Sequence, residues 1–245
     1  MNLIGNTILF LQFVACTFYC AGDILAGHHQ LLVVTTEDWD HLQGCLQLYE
    51  RKDDHSEWLL KEQGIPVVVG KTGLAWGIGL HSRTNQVPTK AEGDSKSPAG
   101  IFSLGTAFGF ASPVEMAQLK IDYLPLHDHI EAVDDPLSQY YNCIVDHRVV
   151  SVDWSSSEKM NAVSLYKIGM VVNHNYPNPQ PGAGSAIFLH IWRNEHTGTA
   201  GCTAMSEQHL NRVLFWIDNS KNPVLVQLPI DIYREIQQEW NLPLQ

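Results

Sequence analysis

Residues 186–206 read AIFLHIWRNEHTGTAGCTAMS. Ile187, Leu189 and Ile191 alternate with their neighbours, the period of a strand, so His190 falls on the opposite face near the strand's end. A loop rich in Gly and Thr follows. Cys202 stands directly after Gly201 and shortly before Ser206. Ser206 is a good helix N-cap, and Leu210, Val213, Leu214 and Ile217 fall at i, i+3, i+4 and i+7, one apolar stripe. The stretch therefore predicts strand, tight loop and helix, with a thiol and an imidazole close to one another.

Outward from this stretch the chain reads as mostly strands. Gln30 to Thr35 (QLLVVT) predicts a buried strand, and Thr36 to Gln43 a short helix. Cys45 to Arg51 and Glu57 to Glu62 alternate around Lys52–Ser56, a hairpin signal. Pro66 to Gly70, Val149 to Trp154, Met170 to Asn173 and Val224 to Leu228 are further strand candidates. Residues 70–109 are Gly-rich and broken by Pro88 and Pro98, which predicts short strands and turns. Asp231 is placed to cap a last helix carrying Ile232, Ile236 and Trp240. No repeat or linker divides residues 28–245, so these form one mainly β domain with a few short helices.

Composition bounds what this domain does. Of 245 residues, 44% are hydrophobic and 17% charged, which supports a real core and excludes a disordered or polytopic membrane chain. With 15 Lys and Arg against 26 Asp and Glu, the net charge is −11. Without a basic run, such a chain is a poor nucleic-acid binder. The first residues differ: Ile8 to Val14 (ILFLQFV) is too short to span a bilayer but fits a secretory signal over 1–22. Cleavage after Gly22, or a lipid on Cys16 in the lipobox-like Phe13-Val14-Ala15-Cys16, are the two exits. No Lys or Arg precedes the run. Membrane contact is expected only through this segment or its lipid. An exported chain would keep Cys45, Cys143 and Cys202, an odd number. Cys45 and Cys143 are expected to pair, leaving Cys202 free.

Cys202 and His190 carry the chemistry. A thiol near a helix N-terminus with an imidazole in reach is expected to be partly thiolate and to be alkylated before the other two. Thiolate attacks, while His takes the proton and later returns it to a leaving amine. Gly201 lets backbone N–H groups converge on an oxyanion. His196, in the loop, is the rival base. Other motifs fail: Gly70-Lys71-Thr72 lacks a phosphate loop's spacing, and His127-x-His129 lacks the further ligands of a zinc site. Ser156-x-x-Lys159 and Lys71-Thr72-Gly73 stand in the wrong order for a penicillin-binding acyltransferase.

With these residues in hand, the chain resembles the L,D-transpeptidase catalytic domain, also called YkuD. Glu92-Gly93-Asp94-x-Lys96-Ser97-Pro98-Ala99-Gly100-Ile101-Phe102 is similar to the family's D-G-x-T-P-x-G-x-F turn. Phe188-Leu189-His190 resembles its His-bearing strand, and Thr199-x-Gly201-Cys202 its S/T-x-G-C loop. The resemblance spans roughly residues 60–230. It implies a β-sandwich-like domain, Cys202 as nucleophile, His190 as base, and no metal or cofactor. It also implies a peptidoglycan stem peptide as substrate, and work in the periplasm or cell envelope. His174, Trp192 and Arg193 are expected to line the cleft, with Arg193 holding a carboxylate. The pattern has a His or Arg where this chain has Ala200, and often Arg or Asn at Ala204. Gly201-Cys202-Thr203-Ala204-Met205 is similar to a branch of which part cleaves crosslinks. Crosslinking, hydrolysis and a non-catalytic wall-binding module are the three readings this leaves.

Overall fold

The computed structural model describes residues 23–82 and 87–244, and the segment 1–22, with its cleavage and lipidation readings, lies outside them. The strands are β1 (Gln30–Thr36), β2 (Gln43–Glu50), β3 (Leu59–Val68), β4 (Leu74–Trp76), β5 (Ser97–Gly109), β6 (Tyr123–Pro125) and β7 (Ile130–Val133). They continue as β8 (Ile144–Asp146), β9 (Ser157–Lys159), β10 (Ile168–Val172), β11 (Phe188–Ile191), β12 (Thr203–Met205) and β13 (Val224–Pro229). Two α-helices follow late, α1 (Glu207–Trp216) and α2 (Ile230–Ile236).

The main sheet runs β10-β11-β12-β3-β2-β1-β13-β5-β4, and the long β5 also pairs with β10. That second pairing closes the path from β10 round to β5 on itself, with the short β4 and β6 attached to β5 outside the ring. The sandwich-like β architecture expected from the sequence thus takes the form of one wrapped sheet. A small sheet, β8-β7-β9, stands beside it.

β1 shows why the sequence folds this way. Leu31, Leu32, Val33 and Val34 are all fully buried, on both faces, between antiparallel β2 and parallel β13. Each such side chain contributes about 1.5–3 kcal/mol relative to exposure. β2 and β3 form the expected hairpin around Lys52–Ser56. In β11, Leu189 and Ile191 pack into the main core while Phe188 joins a second cluster with Phe108, Tyr166 and Cys202.

Two local readings are corrected. Residues 36–42 form no helix: the Asp38 carboxylate accepts from the Asp40 and His41 backbone N–H groups, an Asx turn that competes with helix. Val149–Trp154 is no strand either. Val149 and Val152 are exposed, and Val149 N–H donates to Asp146 O in a turn. The paired segments there are β8 and β9 instead. At the C-terminal helix, Asp231 lies in the first turn rather than at the cap, which is Pro229.

Candidate active site

Three segments distant in sequence meet at the end of β11. Thr199 N–H donates to Val69 O, and Lys71 N–H to Thr199 O, so the loop 198–201 is zipped onto residues 69–71. From β5, the Ser97 hydroxyl accepts from Gly70 N–H at 2.8 Å and donates to Cys202 O at 2.8 Å. The Thr199 hydroxyl donates to the same carbonyl at 2.5 Å and accepts from Gly201 N–H at 3.1 Å. Two hydroxyls thus fix the Cys202 backbone. Ser97 is fully buried, so Ser97→Ala strands the Gly70 N–H and is expected to destabilise by about 1–3 kcal/mol, read from denaturant midpoints.

The strand register places the thiol. β11 and β12 run parallel with Leu189 opposite Thr203 and His190 opposite Ala204. Cys202 Sγ accepts from Phe188 N–H at 3.3 Å and donates to Ala186 O at 3.4 Å. The residue is buried, and desolvation pushes the thiol's pKa up to about 12. This corrects the expectation of a partly ionised thiol near a helix end. Residues 203–205 are a strand, which carries the chain away before α1 begins at Glu207. Ser206 does cap that helix, accepting from His209 N–H.

The expected labelling order reverses accordingly. Cys45 and Cys143 are unpaired; one lies in β2 of the main sheet, the other beside the small sheet, so the expected disulfide is absent. Cys143 is the exposed thiol. A small neutral alkylating reagent at pH 7 is expected to label Cys143 first and Cys202 last, checked by mass spectrometry of peptides.

His190 is buried, and its Nδ1 lies 2.8 Å from Ile191 O. A carbonyl only accepts, so Nδ1 carries the proton and Nε2 the lone pair. Burial lowers the ring's pKa, which keeps it neutral. The Tyr166 ring meets it edge-on at 5.3 Å, and the Tyr166 hydroxyl donates to Glu158 Oε2 at 2.6 Å. Desolvation raises the Glu158 pKa.

Cys202, Gly201, His190, Trp192 and Arg193 all line one cleft of about 810 Å³. His174 does not. It is buried beside a second cavity of about 540 Å³, and both ring nitrogens are bound: Nδ1 accepts from Ile78 N–H and Nε2 faces Ala183 O. Burial takes its pKa down to about 4. Two backbone partners make it a structural residue, a correction to its expected place in the cleft. The rival base His196 sits exposed in the loop beside Glu195, outside the cleft lining. Missed by the sequence reading were Ser97, Tyr166, Glu158 and Lys90, all brought in by long-range packing. No group of three or more His, Cys, Asp or Glu among the described residues is arranged to hold a metal ion.

A wrapped β domain with a thiol and an imidazole in one cleft defines the class. Residues 46–226 match the L,D-transpeptidase catalytic domain (YkuD), most of the chain, and the protein belongs to that family. Members of the family act on peptidoglycan in the cell envelope. No curated protein and no solved structure matches the chain. No helix among the described residues is long and apolar enough to cross a membrane.

Proposed function

We propose that the protein is a cysteine acyltransferase that acts on peptidoglycan stem peptides outside the cytoplasm. The observation that carries this is the Cys202 thiol and the lone pair of His190 Nε2 in a single cleft. The thiol proton passes to Nε2 as Sγ bonds to the carbonyl of a meso-diaminopimelate residue. The C–N bond to the terminal D-alanine then breaks, and the imidazolium returns the proton to the leaving amine. A thioester remains. An amine of a second stem peptide resolves it as a crosslink, and water resolves it as hydrolysis.

The cleft's charges suit such a substrate. Arg193 and Lys71 line it as exposed cations, while Glu158 and Asp134 reach it from the small sheet. Diaminopimelate ends in an ammonium and a carboxylate, and needs both signs. Gly201 N–H is engaged by Thr199, so the Cys202 N–H is the stronger candidate for the oxyanion. Arg193→Ala is expected to raise KM several-fold with little change in kcat, measured on tetrapeptide stems.

The deciding experiment incubates stem tetrapeptides with the wild-type protein and with Cys202→Ala, and reads both protein and peptides by mass spectrometry. An acyl adduct on Cys202 and release of D-alanine are expected from the wild type alone. Release of D-alanine by the alanine variant would overturn the reading.

A further inference from the structure

Among the cations lining the cleft, Lys90 is unlike the rest. Lys71 and Arg193 are exposed, whereas the Lys90 side chain is 3% exposed. Burying an ammonium is costly unless it is paired, so the arrangement around it needs a reason. Two glycines make the room. A Cβ on Gly184 would meet Lys90 Cε at 3.1 Å and Cγ at 3.2 Å, so the stem lies across that glycine. A Cβ on Gly201 would stand 3.9 Å from Nζ, which puts the ammonium beside the residue preceding the nucleophile.

The ammonium is also fixed. Nζ donates to Asp94 Oδ1 at 2.6 Å and to Ala91 O at 2.7 Å. Asp94 is itself clamped, accepting from Ala91 N–H and Lys96 N–H. Two of the three ammonium donors are thus engaged. Besides Lys90, the titratable groups of the cleft are Glu158 from β9, Tyr166 before β10, His190 from β11, Glu92, Asp134 and the exposed Lys71 and Arg193. Lys90 is the buried cation among them while His190 is neutral, and Glu158 opposes a thiolate. Ala200, two residues before the nucleophile, brings no charge.

We infer that Lys90 is a positioning residue for the nucleophile: its buried ammonium, anchored by Asp94, stabilises the negative charge that develops at Cys202. The inference rests on the reading of Cys202 as nucleophile and adds the group that makes a desolvated thiol usable. It also assigns the Glu92-Gly93-Asp94 turn a function, since that turn carries the carboxylate that anchors the cation.

The test compares the wild-type protein with Lys90→Met and Lys90→Arg in two assays. One follows alkylation of Cys202 by iodoacetamide against pH, resolved by peptide mass, with Cys143 as internal control. The other follows acyl-enzyme formation from a stem tetrapeptide. Lys90→Met is expected to move the Cys202 alkylation profile about one pH unit higher and to slow acylation about tenfold. Lys90→Arg restores most of both, and Cys143 is unaffected. A folded Lys90→Met protein with the wild-type Cys202 profile overturns the inference. If the wild type forms no acyl-enzyme, the peptidoglycan reading falls, and alkylation alone decides the role of Lys90. Should Lys90→Met fail to fold, Lys90→Gln keeps a polar group toward Asp94 and Ala91 but no charge; it is expected to move the profile to higher pH as Lys90→Met does, and an unchanged profile overturns the inference.

Discussion

His190→Ala is expected to lower the rate of acyl-enzyme formation by about 10²–10⁴-fold, the range for loss of a positioned acid–base group. The effect should sit at the upper end, because the Cys202 thiol is desolvated and its pKa is about 12. At neutral pH such a thiol does not ionise unaided, so the proton needs an acceptor at the moment of attack. His190 is held neutral by burial and oriented by Ile191 O, leaving Nε2 to receive it. The resting pair is therefore neutral thiol and neutral imidazole, not an ion pair. The pH dependence follows with a definite sign. Activity is lost as pH falls through the depressed pKa of His190, below the ordinary value near 6.5, because imidazolium has no lone pair. Above it, the rate should stay level until the pH approaches that of the thiol. His196→Ala is the control, expected within a factor of a few of wild type, since that side chain is exposed beside Glu195. Single-turnover acylation followed by mass spectrometry measures all three proteins. A dead His196 variant with an active His190 variant would reverse the assignment.

Local pattern made much of this site legible. The alternation of Ile187, Leu189 and Ile191 fixed the face of His190, and the structure puts those three in the main core and His190 in the cleft. Ser206 announced its helix because a cap is a local hydrogen bond. Thiol ionisation was not legible, since it depends on what covers Cys202. Residues 203–205 continue as a strand against β3 and β11, so the helix end is too far away to act on the sulfur. His174 misled for the same reason: its partners, Ile78 and Ala183, come from other loops. Val149–Trp154 carried the right residues for a strand but found no neighbour to pair with. Closure of the sheet through β5 and β10 is a contact between strands far apart in sequence, and no local pattern encodes it. Lys90 left one faint trace, its spacing of four from Asp94, which outside a helix reads as nothing in particular.

Gly100→Ala is expected to destabilise the protein by about 2–6 kcal/mol. Gly100 lies in the Pro98-Ala99-Gly100-Ile101-Phe102 stretch of β5, with φ +135°, a conformation L side chains rarely adopt. That alone costs on the order of 1–3 kcal/mol. The space is also taken: a Cβ there would run into the ring of His81, which is buried and accepts from Ile101 N–H through Nδ1. The ring packs edge-on against Phe102 at 5.8 Å and tilted against Trp240 at 5.6 Å, which leaves it little room to retreat, and overpacking adds about 1–3 kcal/mol. For a domain of this size the sum lowers the melting temperature by about 10 °C. The strain should reach the site as well. Three residues earlier on the same strand, Ser97 ties Gly70 to the Cys202 carbonyl, and a shift of β5 loosens that tie. Gly64→Ala is the comparison: Gly64 also has positive φ, at +73°, but a Cβ there meets nothing. It should show the backbone penalty alone, about half the loss or less, with acylation unchanged. Thermal unfolding of the two variants measures the difference, and equal melting temperatures would show that the His81 ring yields and that the motif glycine serves conformation only.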